Sequence, residues 1–264
     1  MRENTCIDKE ENPLAEIISD GGYTAIFRTI GCIGDSLSSG EHESLDEEGN
    51  KGYHDYYEYS WGQFIARACG LKAYNFSVGG LTAKEFQRLA RYMKCFTPEK
   101  ACQAYIIALG VNDLKDVNFH YSGGFGAMPD FENKDDTFIG AYVRIIQQIK
   151  ELQPKARIFV VTPPVRNYDD KGRIEREEKF ADFLRSLPQY FEFLYVIDLR
   201  KYDQVYDDEF CAKYNLGGHM SAMGYKRMAN VISTYIDWVI RNYYDDFKQV
   251  GFIGTNFHNC SEKW

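Results

Sequence analysis

The chain has 264 residues, of which 44% are hydrophobic and 27% are charged, and its formal net charge is -8. This composition is ordinary for a soluble globular protein, and the length predicts one domain, 1–264, with a core that needs no metal ion or disulfide. The acidic balance argues against nucleic acid and anionic membranes as partners, because both recruit basic surfaces.

Targeting and redox signals are weak in this sequence. Residues 1–16 are polar and contain no apolar core of a signal peptide, and no apolar run reaches the length of a membrane span. The seven cysteines are odd in number and scattered without a Cys-x-x-Cys pair, so neither a zinc site nor a disulfide framework is expected. These features predict a reducing, cytoplasmic location.

Strand and helix patterns alternate along the chain. Continuous apolar runs predict buried strands at 27–33, 71–78, 104–109, 157–162 and 193–199. Apolar residues three and four apart predict helices at 60–68, after Thr82, at 138–152, at 174–187 and from about 221 to 243. Five apolar strands that alternate with helices predict an α/β fold in which helices cover both faces of a parallel sheet.

Several segments fall outside this alternation. The turn signal Asp20-Gly21-Gly22 predicts a short lead-in strand or hairpin at 23–27. The segments 41–59 and 115–136 are predicted to be long loops, and loops of that length are usually functional or mobile. The tail, 245–264, is predicted to lie draped over the domain.

Three predicted strands end in small and polar residues, at Gly34-Asp35-Ser36, Gly79-Gly80 and Gly110-Val111-Asn112-Asp113. The carboxyl ends of parallel strands meet at one edge of the sheet, so these residues are expected to converge there. Ser36 is either a nucleophile or a helix N-cap, since serine is a preferred cap. For a nucleophile, the backbone N–H groups of Ser36 and Gly80 and the side-chain amide of Asn112 supply an oxyanion hole.

A serine nucleophile also needs a base, and the chain has five histidines. His219 lies in a glycine-rich segment just before the last helix, from which it can reach the same edge of the sheet. The alternative is an ordinary surface histidine in a loop. The other histidines lie in predicted loops or in the tail: His42, His54, His120 and His258.

Four blocks, in this order, resemble those of the GDSL esterases and lipases, also called SGNH hydrolases. Gly34-Asp35-Ser36-Leu37 is similar to the nucleophile block and Gly80 to the oxyanion glycine. Gly110-Val111-Asn112-Asp113 is similar to the block that supplies the oxyanion asparagine. His219, followed by Ser221 and Gly224-Tyr225, is similar to the block that supplies the base.

The resemblance implies a flavodoxin-like three-layer α/β/α sandwich with a five-stranded parallel sheet. It also implies Ser36 as nucleophile and His219 as base, with the oxyanion held by Ser36, Gly80 and Asn112, and no metal or organic cofactor. Asp35 and Asp113, beside these residues, are expected to brace their loops through backbone hydrogen bonds.

One position departs from the family pattern. The family usually places an aspartate three residues before the histidine, and this chain has Leu216 there. We favour a Ser-His dyad in which His219 donates to a backbone carbonyl. Alternatively another acid orients the ring, either Asp198 or one of Asp207, Asp208 and Glu209, or the site is impaired and only binds a ligand. Asp198 is more simply explained as a residue that caps or turns the chain at the end of a strand.

The resulting hypothesis is a serine esterase that works through an acyl-enzyme. The tyrosines of 41–59, with Trp61 close behind, favour a short acyl group on a polar or carbohydrate alcohol, and thus an ester or acylated carbohydrate as the partner. A lipase or lysophospholipase acting on longer acyl chains is the alternative. A non-catalytic ligand-binding protein and an acyltransferase to sugars remain open as well.

Overall fold

The computed structural model describes residues 12–121, 123–125, 136–167 and 170–258. Most of the segment examined for a signal peptide, together with Cys6 and Cys260, lies outside the described residues, as do part of the predicted loop 115–136 and the end of the tail. The other five cysteines are free thiols: Cys32, Cys69, Cys95, Cys102 and Cys211.

Five parallel strands form the central sheet, as the sequence predicts. They are β1 (Thr29–Gly34), β4 (Lys72–Ser77), β5 (Ala104–Ala108), β6 (Arg157–Val161) and β7 (Leu194–Ile197), in the order β4-β1-β5-β6-β7. The first strand, β1, therefore lies inside the sheet, and the next, β4, forms one edge. The later strands extend the sheet to the other edge, which is the flavodoxin-like order. Such sheets leave a crevice at the carboxyl ends of the strands where the winding reverses, here beside β1 and β5.

Helices cover both faces of this sheet, so the predicted three-layer α/β/α architecture is confirmed. One face carries α2 (Trp61–Cys69) and α9 (Ala222–Asn242), and the other carries α3 (Ala83–Leu89), α5 (Phe138–Leu152) and α6 (Lys171–Ser186). Successive strand side chains point to opposite faces, so Ile30 and Cys32 pack against the first layer and Ile33 against the second. All three are buried, which explains the apolar pattern of the strand.

Side-chain caps set several helix boundaries that the sequence predicts. Ser60 accepts a hydrogen bond from the backbone of Gln63 at the start of α2. Thr82 and Glu85 form a reciprocal capping box at the start of α3. Ser221 likewise accepts from the backbone of Gly224 at the start of α9. These contacts satisfy N–H groups that have no partner within a helix.

Two predictions for the first sixty residues are wrong. The lead-in strand at 23–27 is a 3-10 helix, Gly22–Ile26. The predicted loop 41–59 contains a β-hairpin of β2 (Glu41–Leu45) and β3 (Lys51–Asp55). Its turn is closed by Asp46, whose carboxylate accepts from the backbone N–H groups of Glu48 and Asn50. The hairpin escaped prediction because its strands are polar on both sides and face no large core.

A second, smaller hairpin precedes the last helix. It consists of β8 (Asn215–Leu216) and β9 (His219–Met220), joined by Gly217-Gly218. Gly217 has φ +70, a left-handed conformation that glycine adopts without steric cost. The remaining short helices are α1 (Ser36–Ser39), α4 (Asp116–Tyr121), α7 (Leu199–Tyr202), α8 (Asp208–Tyr214) and α10 (Tyr244–Phe247). Helix α4 lies inside the segment 115–136 that was predicted to be a loop.

The tail packs against the body of the protein as far as Ile253, as the sequence predicts for this segment, whereas residues 254–258 are exposed. Phe247, Val250 and Ile253 are buried. The Arg28 guanidinium donates to the carbonyl oxygens of Gly251 at 2.9 Å and Ile253 at 3.1 Å. The tail is therefore tied to the start of β1, at the opposite end of that strand from Ser36.

Candidate active site

The predicted nucleophile lies directly beyond the carboxyl end of β1. Helix α1 begins at Ser36, and its N-cap is Asp35, whose carboxylate accepts from the backbone N–H of Leu37 at 3.1 Å. Ser36 is therefore the first residue of the helix and not its cap. Burial raises the pKa of the Asp35 carboxyl to about 6, against the opposing hydrogen bond from Leu37. Asp35 braces the turn, as predicted.

The second and third strand-end loops meet beside this turn. The side-chain amide of Asn112 donates to the carbonyl oxygen of Leu81 at 3.2 Å, which places it next to Gly80. Gly80 has φ +75, so its backbone takes a conformation that other residues seldom adopt. Asp113 accepts from the Ala83 N–H with both carboxylate oxygens at 3.1 Å. The two predicted oxyanion donors, Gly80 and Asn112, thus lie in one hydrogen-bonded unit.

The predicted base lies at the tip of the small β8–β9 hairpin, close to helix α1. Nδ1 of His219 lies 3.0 Å from Oε1 of Glu43, and the Gly218 N–H donates to that same oxygen at 2.7 Å. Glu43 belongs to β2, in the segment predicted to be a loop. The hypothesis that His219 donates to a backbone carbonyl is therefore wrong, because a carboxylate occupies that position.

Asp198 does not serve as the orienting acid that we considered. It is the N-cap of α7, and its carboxylate accepts from Arg185 Nε at 2.8 Å and from Thr162 Oγ1 at 3.2 Å. The alternative of a strand-end cap is the one the structure supports. Asp207 caps α8 by accepting from Phe210 N–H, and Asp208 and Glu209 lie in the first turn of that helix.

A second carboxylate reaches the other side of the imidazole. Glu41 lies two residues before Glu43 on β2, and residues so spaced share one side of a strand. Its Oε1 is 3.0 Å from Nε2 of His219, and the other oxygen lies so close to Gly79 that a Cβ there would approach it to 1.9 Å. No hydrogen bond joins the Ser36 hydroxyl to His219 among the described residues. The imidazole is therefore held between two carboxylates.

The two carboxylates differ in their electrostatic environment. Burial raises the pKa of Glu41, the adjacent imidazole opposes this, and the neighbouring Asp55 and Glu43 add to it. For Glu43, hydrogen bonds from His219, Gly218 and Lys51 outweigh its desolvation and lower the pKa. Glu43 is therefore the carboxylate that stays ionised more readily.

Residues 32–227 match the GDSL-like Lipase/Acylhydrolase family. The chain belongs to this family. The matched range contains all four blocks that carry the resemblance, from the nucleophile turn to His219 and Tyr225. No curated protein matches the chain by sequence.

Several solved structures of carbohydrate esterases share this fold. A family two carbohydrate esterase from Clostridium thermocellum, in complex with cellohexaose, is 16% identical with a TM-score of 0.58, over 83% of this chain and 65% of that longer one. A carbohydrate acetylesterase from Sinorhizobium meliloti is 17% identical, with a TM-score of 0.52 over 80% and 99% of the two chains. A family 3 carbohydrate esterase from Clostridium thermocellum is 15% identical, with a TM-score of 0.52 over 81% and 98%.

An apolar pocket opens beside the GDSL serine. Its walls include Leu37, Trp61, Val111, Pro163, Met220 and Met228. Three of these residues directly follow or precede the predicted site residues Ser36, Asn112 and His219 in the sequence. The pocket therefore lies next to the predicted site, between the sheet and α9, although Ser36, Asn112 and His219 do not themselves line it.

The described residues hold no cluster of three or more histidine, cysteine or acidic side chains placed to bind a metal ion. Nor is any helix in the described ranges long and apolar enough to cross a membrane.

The sequence interpretation missed both carboxylates that contact His219. Glu43 and His219 are 176 residues apart, so no local spacing links them. The available signal was the alternation of Glu41, His42 and Glu43 next to a turn, which is typical of a strand with one acidic side. His42 faces the other way, and its ring packs against Tyr56 and Tyr59.

Proposed function

We propose that this protein is a serine esterase that hydrolyses carboxylic esters through an acyl-enzyme on Ser36. The observation that carries the proposal is the convergence of three loops and one hairpin at the carboxyl ends of β1, β4 and β5. Ser36, Gly80 and Asn112 come from those loops, and His219 comes from the β8–β9 hairpin. Family membership supports ester hydrolysis as the class of reaction.

In the proposed mechanism, Ser36 Oγ attacks the ester carbonyl carbon while Nε2 of His219 accepts the hydroxyl proton. The oxygen of the tetrahedral intermediate accepts hydrogen bonds from the N–H groups of Ser36 and Gly80 and from Asn112 Nδ2. His219 then gives the proton to the departing alcohol. A water molecule, deprotonated by His219, attacks the acyl-enzyme, and the carboxylic acid leaves as Ser36 regains its proton.

We infer that the substrate carries a short acyl group on a polar or carbohydrate alcohol. Tyr53 of the β2–β3 hairpin packs edge-on against His219, and both Tyr53 and Tyr56, which follows the hairpin, are half exposed. A tyrosine combines an apolar ring with a polar hydroxyl group, and this combination suits a hydroxyl-rich ligand that has one flat face. The structural similarity to carbohydrate esterases supports the same class. The apolar pocket favours one competing candidate, a lipase or lysophospholipase with a longer acyl chain.

The nucleophile is tested with Ser36→Ala and a matched control, Ser44→Ala, which removes an exposed hydroxyl from the nearby hairpin. Hydrolysis of p-nitrophenyl acetate and labelling by a fluorophosphonate probe should both be lost in Ser36→Ala and kept in Ser44→Ala. Unchanged hydrolysis by Ser36→Ala would remove the proposal. If the wild-type protein is folded but is neither labelled by the probe nor active, the ligand-binding alternative is favoured.

The substrate class is tested with p-nitrophenyl esters from acetyl to octanoyl and with acetylated oligosaccharides. A short-chain carbohydrate esterase should lose kcat/KM as the acyl chain lengthens and should release acetate from the sugar. A rise from acetyl to octanoyl would favour the lipase candidate instead. Transfer of the acetyl group to an added sugar, with little free acetate, would indicate an acyltransferase.

A further inference from the structure

The β2–β3 hairpin supplies a group that the sequence around His219 lacks. The usual acid position, Leu216, is 54% exposed and apolar. Glu43 instead places one carboxylate oxygen 3.0 Å from Nδ1 of His219. We propose, on the basis of the function above, that Glu43 is the positioning residue for the catalytic histidine, so that the orienting acid comes from a hairpin 176 residues earlier in the chain.

Several contacts hold the Glu43 carboxylate in this role. Oε1 accepts both from His219 and from the Gly218 N–H, which lies next to the histidine in the same turn. The other oxygen lies 3.3 Å from the ammonium group of Lys51 on the paired strand. The Glu43 side chain is only 10% exposed, so neighbouring groups cover most of the carboxylate.

This geometry has a defined chemical effect. Once Glu41 has turned away from Nε2, a carboxylate at Nδ1 keeps the ring proton on that nitrogen and leaves Nε2 free of a proton, which is the form that can act as a base. The same charge stabilises the imidazolium that forms when Ser36 gives up its proton. Glu43 thus acts through His219 and needs no contact with the substrate.

Other charged and titratable groups also face this histidine. Glu41 contacts it from β2, Tyr53 packs edge-on against its ring from β3, and Asp35 acts on it from the turn after β1. Asp55 and Lys115 in turn face Glu41, and Arg166 and Lys115 face Asp35. Among the acids around His219, Glu43 is the one that is hydrogen-bonded to Nδ1.

The register of the small hairpin provides a rescue experiment. Leu216 pairs directly with His219 across β8 and β9, and paired residues project to the same side of a sheet. An aspartate at 216 is therefore close enough to His219 to replace Glu43. Glu43→Ala should lower kcat for p-nitrophenyl acetate by about 10²- to 10⁴-fold with little change in KM. Adding Leu216→Asp to that variant should restore at least about tenfold, as the substituted acid again orients the ring.

Controls separate this role from a structural one. Glu47→Ala removes an exposed acid from the turn of the same hairpin and should keep wild-type kcat. Glu43→Gln keeps the shape of the side chain, so it covers the case in which Glu43→Ala fails to fold. Wild-type kcat in Glu43→Gln would overturn the positioning role while the fluorophosphonate labelling of Ser36 still stood. Absence of labelling in the wild type would instead overturn the proposed function, and this inference with it.

A separate observation concerns Glu41, whose carboxylate lies between His219 and Gly79. Its carboxylate contacts Nε2, the atom that has to accept the Ser36 proton, and it also rests against Gly79 beside the oxyanion glycine. A negative charge there opposes the charge that develops on the ester oxygen. We infer that Glu41 closes the resting site, and that its side chain must turn away before an ester can react.

The Glu41 gate is tested with Glu41→Gln, with Glu58→Gln, at an exposed position beyond the β2–β3 hairpin, as the charge-matched control. Glu41→Gln removes the negative charge that opposes the charge developing on the ester oxygen, so kcat/KM for p-nitrophenyl acetate should rise. At pH 6 this variant should be several-fold more active than the wild type, and Glu58→Gln should match the wild type. A tenfold or larger loss of kcat in Glu41→Gln would overturn the gate and make Glu41 part of the catalytic machinery.

Discussion

The hydroxyl of Tyr225 donates a hydrogen bond to the backbone oxygen of Glu41 at 2.7 Å, and it lies 3.4 Å from the backbone oxygen of Ser36. One buried side chain from the start of α9 therefore touches both the nucleophile turn and the first residue of the β2–β3 hairpin. This contact fixes the start of the hairpin beside the nucleophile turn. From that position the carboxylates of Glu41 and Glu43 reach His219.

Tyr225→Phe should destabilise the protein and loosen the site together. Removing the hydroxyl leaves the part-buried Glu41 carbonyl without this donor, which costs about 1 to 3 kcal/mol. Urea unfolding measures the loss of stability, and kcat for p-nitrophenyl acetate should fall in the same variant. Tyr92→Phe removes an exposed hydroxyl and is the control, since Tyr92 is 82% exposed. Equal unfolding midpoints for Tyr225→Phe and the wild type would contradict the anchoring role.

Asn112→Ala should reduce kcat by about 10²- to 10³-fold with a small effect on KM, because one oxyanion donor acts mainly in the transition state. Asn112→Asp keeps the size of the side chain but places an acceptor, and a negative charge when ionised, beside the developing oxyanion. It should be at least as inactive as Asn112→Ala. Thermal unfolding of both variants shows whether loss of the Leu81 contact, rather than of the donor, explains the change. A large rise in KM at constant kcat would argue against the oxyanion role.

Asp113 should make the wild-type protein less stable as the pH rises. Burial raises the pKa of its carboxyl from 3.8 to about 7, against the hydrogen bond from the Ala83 N–H. The native state therefore keeps this proton where the unfolded chain has lost it. The protonated Asp113 makes its full contribution to the free energy of unfolding below about pH 4. This contribution is lost as the pH rises to about 7, and the loss is at most about 4 kcal/mol.

Asp113→Asn removes this titration while keeping one oxygen to accept from Ala83. Its free energy of unfolding should fall less than that of the wild type between pH 4.5 and pH 8, as measured by urea titration at each pH. Glu151→Gln, which neutralises an exposed acid at the end of α5, serves as the control and should follow the wild type. Parallel curves for Asp113→Asn and the wild type would refute the prediction.

Met228→Ala should shift the acyl-chain preference toward longer esters. Met228 comes from α9 and forms part of the apolar pocket wall, so its truncation lengthens the space available to the acyl group. The ratio of kcat/KM for hexanoyl over acetyl ester should rise about tenfold, the scale of one to two methylene groups in such a pocket. The core should lose about 2 to 5 kcal/mol of stability. Met223→Ala, at an exposed position one turn earlier, should leave the ratio unchanged.

Much of this fold follows from local pattern. Helix α5 spans the predicted residues 138–152. Ser60, Thr82 and Ser221 lie at the predicted starts of three further helices, and each side chain accepts a capping hydrogen bond there. These features are predictable because hydrophobic spacing and cap hydrogen bonds act over a few residues. The convergence of Ser36, Gly80 and Asn112 follows from the same logic, since the ends of neighbouring parallel strands must meet.

The surroundings of the histidine depend on the tertiary structure. The sequence by itself determined that a serine, an amide and a histidine meet at one sheet edge, and that the usual acid is absent at Leu216. Only the folded chain decided that Glu43 takes the Nδ1 side and Glu41 the Nε2 side. Those contacts join a polar hairpin to a turn 176 residues away, and burial and charge pairing across such a distance leave no periodic trace in the sequence.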